Sequence, residues 1–184
     1  MQFELLRLIV DQLDAAGIPH MVAGSFASTY HGEPRMTRGI DLVIDPDANS
    51  LAQFADGLDR ERFYMPDWSD EFARRGMTNV IDTISGWKVD LIFRKDRPFS
   101  ESEFGRRTRI ELGGAAVHMA TVEDTVLAKL EWAHQSGSER QLEDVRAMLA
   151  VQDTDAVYLD KWAAELGVSE LLAAVRRSVR PREE

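Results

Sequence analysis

Residues 39–45 read Gly39-Ile40-Asp41-Leu42-Val43-Ile44-Asp45, an apolar run broken by carboxylates at every fourth position. Alternation with a period of two is the mark of a β-strand. It sets Gly39, Asp41, Val43 and Asp45 on one side of the strand and Ile40, Leu42 and Ile44 on the other. A carboxylate on so apolar a strand is costly unless it is paired or holds a metal ion, so Asp41 calls for a functional explanation. The stretch Lys88-Val89-Asp90-Leu91-Ile92-Phe93 repeats the arrangement, with Val89 and Leu91 facing away from Lys88, Asp90 and Ile92. Either acid alone reads as a solvent-facing residue at a strand edge. Two on apolar strands read as a site for a hard divalent cation such as Mg²⁺, which takes oxygen ligands.

Outward from residue 39, the chain alternates helices and strands. Phe3, Leu6, Ile9 and Leu13 predict an amphipathic helix that stops at Gly17, and Ile18–Val22 predicts a short strand. Gly24-Ser25 follows at once and opens a second helix that runs toward Gly32. A glycine and a serine at a helix N-terminus either cap the helix or let the backbone approach a phosphate. Pro46-Asp47 starts a helix with Leu51–Leu58 as its apolar face. Met77–Ile84 and Trp87–Phe93 flank Ser85-Gly86 and predict a hairpin with a two-residue turn. A short helix after Pro98 and a hairpin around Gly113-Gly114 come next. From Thr121 the chain is helical, with Thr121 and Asp124 forming a start that resembles a capping box. Leu127, Leu130 and Ala133 supply one buried stripe and Leu142, Val145, Met148 and Leu149 the next. The expected organisation is a mixed α/β (α+β) core over residues 1–120 and a helical region over 121–184.

Composition removes several classes of function. There is no cysteine, so disulfides and thiolate metal sites are excluded. The first residues lack the layout of a signal peptide, and no apolar run approaches the ~20 residues of a membrane span. A soluble, cytoplasmic protein without a membrane partner is the expectation. The net charge of −10 disfavours non-specific DNA binding, although arginines cluster at Arg106, Arg107 and Arg109 and at Arg176, Arg177 and Arg180. His31 reads as a C-terminal helix cap or as a residue lining a nucleotide pocket, while His20, His118 and His134 lack metal-ligand spacing. Ser100–Glu103 reads as a solvated acidic turn or as part of an acceptor site. The four tryptophans are assigned to packing.

Taken in order, Gly24-Ser25, then Arg35-Met36-Thr37-Arg38-Gly39-Ile40-Asp41-Leu42-Val43-Ile44, then Val89-Asp90-Leu91-Ile92 resemble the DNA polymerase β-like nucleotidyltransferase superfamily. The nearest likeness is to its small bacterial branch, which includes abortive-infection and toxin–antitoxin nucleotidyltransferases and drug-modifying enzymes. Val122–Leu130 and Ser138–Val145 are similar to the helices that follow in that family, and the likeness runs over residues 18–150. The resemblance implies a nucleotidyltransferase-fold mixed sheet flanked by helices. It also implies metal-dependent transfer of a nucleoside monophosphate from an NTP to an acceptor hydroxyl, with Mg²⁺ or Mn²⁺. Asp41 and Asp90 would be the catalytic, metal-holding carboxylates; Gly24, Ser25, Arg38 and Lys129 would bind the nucleotide. The acceptor is open among a small molecule, a protein and tRNA, with the acidic balance favouring the first two. A homodimer is allowed but not specified.

One position departs from the family pattern. The resemblance calls for an acid two residues before Asp41, and this chain has Gly39. Asp45 shares the strand side but lies too far along it to substitute. Loss of one ligand lowers metal affinity and makes a two-metal arrangement doubtful. The competing expectation is a catalytically inactive binding protein of the same fold, in an antitoxin, immunity or regulatory role.

Overall fold

The computed structural model describes residues 2–34, 36–37 and 39–179. Arg38, counted above with the nucleotide-binding residues, lies outside the described residues, as do Arg35 and Arg180. Among the described residues the elements are α1 (Gln2–Ala15), β1 (His20–Val22), α2 (Gly24–His31), β2 (Gly39–Ile44), α3 (Ala48–Gly57), β3 (Phe63–Tyr64), α4 (Ser69–Ala73), β4 (Met77–Asp82), β5 (Lys88–Phe93), α5 (Pro98–Arg106), β6 (Thr108–Leu112), β7 (Ala115–Met119), α6 (Val122–Ser136), α7 (Glu139–Val151), α8 (Ala156–Glu165) and α9 (Ser169–Ser178). The mixed α/β expectation holds.

The chain divides into two compact units. One takes the chain up to Ala23 together with Thr37–Met119; the other takes Gly24–Met36 and the chain from Ala120 onward. The first unit holds one seven-stranded sheet in the order β3-β4-β5-β2-β1-β7-β6. Its pairs β2–β5 and β1–β7 are parallel and the others antiparallel. The alternation read in β2 and β5 comes out as predicted: Ile40, Leu42 and Ile44 pair with Val89, Leu91 and Phe93, and all six are fully buried. At ~25 cal/mol per Å² of apolar surface, such a row locks the register, because a slip by one residue would bury the acids instead.

Two turns show where local chemistry decides. The β6–β7 connection is Gly113-Gly114, with φ of 59° and 80°. Both values lie in the left-handed region, as a two-residue hairpin of this hand demands. A Cβ on Gly113 would also collide with the Phe3 ring, so glycine is needed there twice over. The β4–β5 hairpin forms where expected, but its connection spans residues 83–87 rather than the two residues predicted. Asp82 is the reason: its carboxylate accepts from the Ser85 hydroxyl (2.7 Å) and the Ile84 amide (3.2 Å), which shapes a longer turn.

The second unit is helical. Here α2 packs on α6 and α7, and α9 touches α6, α7 and α8. Thr121 caps α6 by accepting from the Asp124 amide, and its hydroxyl donates 2.6 Å to the Asp124 carboxylate, a side-chain bond in place of the reciprocal backbone bond of a capping box. Gly137, at φ 68°, ends the helix.

Candidate active site

The sheet brings the two acids into register. Asp41 on β2 stands directly opposite Asp90 on β5 in the parallel pair, with Gly39 opposite Lys88 one row away and Val43 opposite Ile92 on the other side. Directly paired residues of neighbouring strands project from the same face. Across the antiparallel β4–β5 pair, Asn79 stands opposite Asp90. A polar row Asn79–Asp90–Asp41 thus crosses three strands, with Lys88 beside it.

Asp90 is 9% exposed, and Asp41 is half-buried. The Lys88 ammonium, itself half exposed, lies 3.0 Å from Asp90 Oδ2. Asp90 Oδ1 is buried and has no hydrogen-bond partner among the described residues. Leaving a carboxylate oxygen in that state costs about 1–3 kcal/mol, which folded proteins avoid unless the oxygen has another use. The backbone around Asp41 is held from both sides: the Ala23 amide donates to the Asp41 carbonyl at 2.9 Å, and the Thr37 hydroxyl donates to the Gly39 carbonyl at 3.2 Å. Gly39 carries no ligand, and a Cβ built there would meet only the Lys88 carbonyl oxygen at 3.8 Å, an ordinary contact. Asp45 is committed elsewhere, bound by Arg75 (2.9 Å) and Arg94 (2.8 Å).

The carboxylates fit one oxygen-liganded divalent ion, because Mg²⁺ is held by one or two carboxylates with water or phosphate completing its shell. Asp90 Oδ1 supplies the uncommitted oxygen such an ion needs. Among the described residues no group of three His, Asp or Glu side chains is arranged to hold a metal.

Gly24, Ser25, His31 and Lys129 lie in the second unit. Gly24, at φ 57°, and Ser25 open α2 immediately after β1. Three residues along, the Ser28 hydroxyl lies 3.2 Å from the Ser25 carbonyl and 3.3 Å from Asp144 Oδ2. Lys129 is buried on α6, where its ammonium donates to Asp144 Oδ2 at 2.7 Å and to Gln141 Oε1 at 2.8 Å. His31 caps no carbonyl of its own helix: its Nε2 hydrogen goes to the Ala120 carbonyl at 2.8 Å, and burial holds its pKa below the usual imidazole value. Ser100–Glu103 is not a solvated turn. Pro98 at the first helical position starts α5 through this segment and buries Ser100 and Glu103.

Lys88 and Asn79 were not singled out in sequence. Lys88 sits two residues before Asp90 on its face, so period two carries the signal for it. Asn79 had none, because the register of β4 against β5 depends on a connection longer than the two-residue turn predicted.

No family model matches the chain, and no curated protein matches it. Solved structures do. The fold is similar to that of an antigenic nucleotidyltransferase-like protein from Paracoccidioides brasiliensis, at TM-score 0.62 and 16% identity over 98% of this chain and 93% of that one. It is similar to the antibiotic-resistance factor ANT(2'')-Ia at TM-score 0.58 and 12% identity, covering 95% and 97% of the two chains. A lincomycin-bound structure of the lincosamide antibiotic adenylyltransferase LnuA matches at TM-score 0.55 and 12% identity, covering 83% and 98%. The chain therefore has the nucleotidyltransferase fold, and among the described residues no helix is long and apolar enough to cross a membrane.

Proposed function

We propose that this nucleotidyltransferase-fold chain transfers a nucleoside monophosphate from an NTP to an acceptor hydroxyl, at a rate lowered by the missing ligand at residue 39. The observation that carries this reading is the direct register of Asp41 and Asp90 on one sheet face, with a buried Asp90 oxygen lacking a partner among the described residues. In the transfer, the acceptor oxygen forms a bond to the α-phosphorus, the α–β bridging bond breaks, and pyrophosphate leaves. A divalent ion, when bound by Asp41 and Asp90, neutralises charge on the phosphate oxygens. Asp90 would favour removal of the acceptor proton. Gly24 and Ser25, at a helix N-terminus with its free amides, are assigned to the phosphates, with Arg38 as a further cation. Lys129 acts through Asp144, holding the helix that carries Gly24 and Ser25. The net charge of −10 supports a cationic small molecule or a protein as acceptor, and the antibiotic adenylyltransferase among the fold's neighbours fits the first.

A second reading, a nucleotide-binding protein that no longer transfers, is favoured by one specific feature: Gly39 faces Lys88, and Lys88 is paired onto Asp90. One experiment separates the two. Calorimetric titration of ATP and GTP, with and without Mg²⁺, compares the protein with Gly39→Asp, which the open space at residue 39 accommodates. The transferase reading expects metal-dependent binding that tightens about tenfold or more on restoring the acid. Nucleotide binding by both proteins with no gain from the acid selects the non-catalytic reading. If neither protein binds a nucleotide, both readings fall.

A further inference from the structure

We infer that Lys88 is a built-in counter-ion that competes with the metal for Asp90 and is released to the nucleotide when the metal binds. The inference rests on the reading of Asp41 and Asp90 as metal ligands. In the register of β2 and β5, the residue directly opposite Lys88 is Gly39. An acid at residue 39 would be the nearest cross-strand partner for the ammonium, since directly opposed side chains lie ~4.5–5.5 Å apart at Cβ. With glycine there, Lys88 turns instead along its own strand to Asp90, two residues on and on the same face, at 3.0 Å. One substitution therefore changes the site twice. It removes a ligand, and it turns a lysine onto a ligand that remains.

The ammonium is suited to exchange. Half of its surface is exposed, it sits on a flexible stem, and Asp90 Oδ2 is its one charged partner among the described residues. A divalent ion on Asp90 would stand within a few ångströms of the ammonium on the same carboxylate, and the repulsion between like charges that close weakens the hold of each, so the half-exposed lysine yields to the ion. The displaced ammonium is then left on a sheet face opposite a glycine, with Asp41, the acid one row on, also taken up by the ion. A triphosphate is the anion that compensates it. Metal and nucleotide binding become coupled, and linkage requires each to tighten the other by the same factor.

The test needs the metal alone. Mn²⁺ is titrated into the full chain without nucleotide, followed by calorimetry or by the paramagnetic resonance of the free ion. The proteins compared are the native chain, Lys88→Met, Lys88→Arg and Lys88→Met/Asp90→Asn, each checked for an unchanged far-UV spectrum. Lys88→Met is expected to bind Mn²⁺ tenfold or more tightly than the native chain. Lys88→Arg keeps the charge and should stay within threefold of native, and Asp90→Asn should erase the gain. With ATP present, the native affinity for Mn²⁺ should rise by a larger factor than that of Lys88→Met. Equal Mn²⁺ affinities for native and Lys88→Met, weaker binding by Lys88→Met, or no binding to either overturns the inference. A gain in Lys88→Met with no nucleotide bound by any of the proteins upholds the competition for the metal and removes the transferase reading, so the two fail separately.

Discussion

Two lysine–aspartate pairs, one in each unit of the chain, use the same chemistry to different ends. Lys129 and Asp144 meet at 2.7 Å with both residues nine-tenths buried or more; the ammonium also donates to Gln141, and the Ser28 hydroxyl approaches the same carboxylate oxygen. Lys88 and Asp90 meet at 3.0 Å, but Lys88 is half exposed and the second Asp90 oxygen is buried without a partner among the described residues. The first pair is engaged by side chains from three helices. The second is under-satisfied on one side and solvated on the other. A buried pair with its hydrogen bonds complete is architecture, whereas a carboxylate kept partly unpaired is held ready for something the chain does not itself supply.

The comparison breaks most decisively at Lys129. Removing one partner of a buried ion pair leaves an uncompensated charge and costs about 3–5 kcal/mol. Lys129→Met should lower the unfolding free energy by that amount in urea titration, followed by the helical signal. Replacing both partners, as Lys129→Met/Asp144→Leu, should recover most of the loss. A loss below about 1 kcal/mol would place this pair with ordinary surface pairs and end the contrast.

Much of this was legible in the sequence, and the rest was hidden for physical reasons. Period two placed Asp41 and Asp90 on defined sides of their strands without any knowledge of the sheet. It could not say that β2 and β5 are neighbours, because a parallel pair 49 residues apart (Asp41 to Asp90) leaves no local trace of its register. Thr121 and the Gly113-Gly114 turn were readable because caps and tight turns are decided within a few residues. The two-residue strand β3 and the five-residue helix α4 carry too little pattern to detect. Lys129 sits among the apolar residues of α6, and nothing local tells a buried lysine from a phosphate-facing one. Its partner Asp144 lies on the next helix, and Ser28 lies 116 residues before Asp144, so only the folded unit joins them.

Between the two lysine pairs stands Arg62–Asp82, which sharpens the comparison through pH. Arg62 grips both Asp82 oxygens at 3.0 and 3.1 Å, and this bidentate hydrogen bonding, helped by Ser85 and the Ile84 amide, lowers the Asp82 carboxyl from 3.8 to about 2. A carboxyl that titrates lower in the folded than in the unfolded state stabilises the fold fully above its unfolded pKa. That contribution is lost as pH falls through the interval from 3.8 to about 2. The shift corresponds to roughly 2 kcal/mol, reduced to about 1–2 because Arg62 is partly exposed to screening solvent. Arg62→Met should cost that much near neutrality and flatten the acid limb of the stability curve between pH 4 and 2. An unchanged acid limb would show that Asp82 draws its stabilisation elsewhere.

The smallest effect on stability is expected at the site itself. Lys88→Met removes an ammonium that is already half in water but leaves the buried Asp90 without its charged partner, so its cost should be about 1 kcal/mol, the low end for an unpaired buried acceptor. The opposite outcome, a loss comparable to that of Lys129→Met, would make Lys88–Asp90 a structural pair and remove the reason to call the site under-satisfied. A ligand that binds only the folded state raises the melting temperature in proportion to how far its concentration exceeds its dissociation constant. Added Mn²⁺ should therefore raise the melting temperature of Lys88→Met more than that of the native chain, and leave Lys129→Met shifted no more than native. Stability and metal response would then run in opposite directions at the two lysines. Such a crossing is what separates a pair that holds the fold together from one that holds a place in the site.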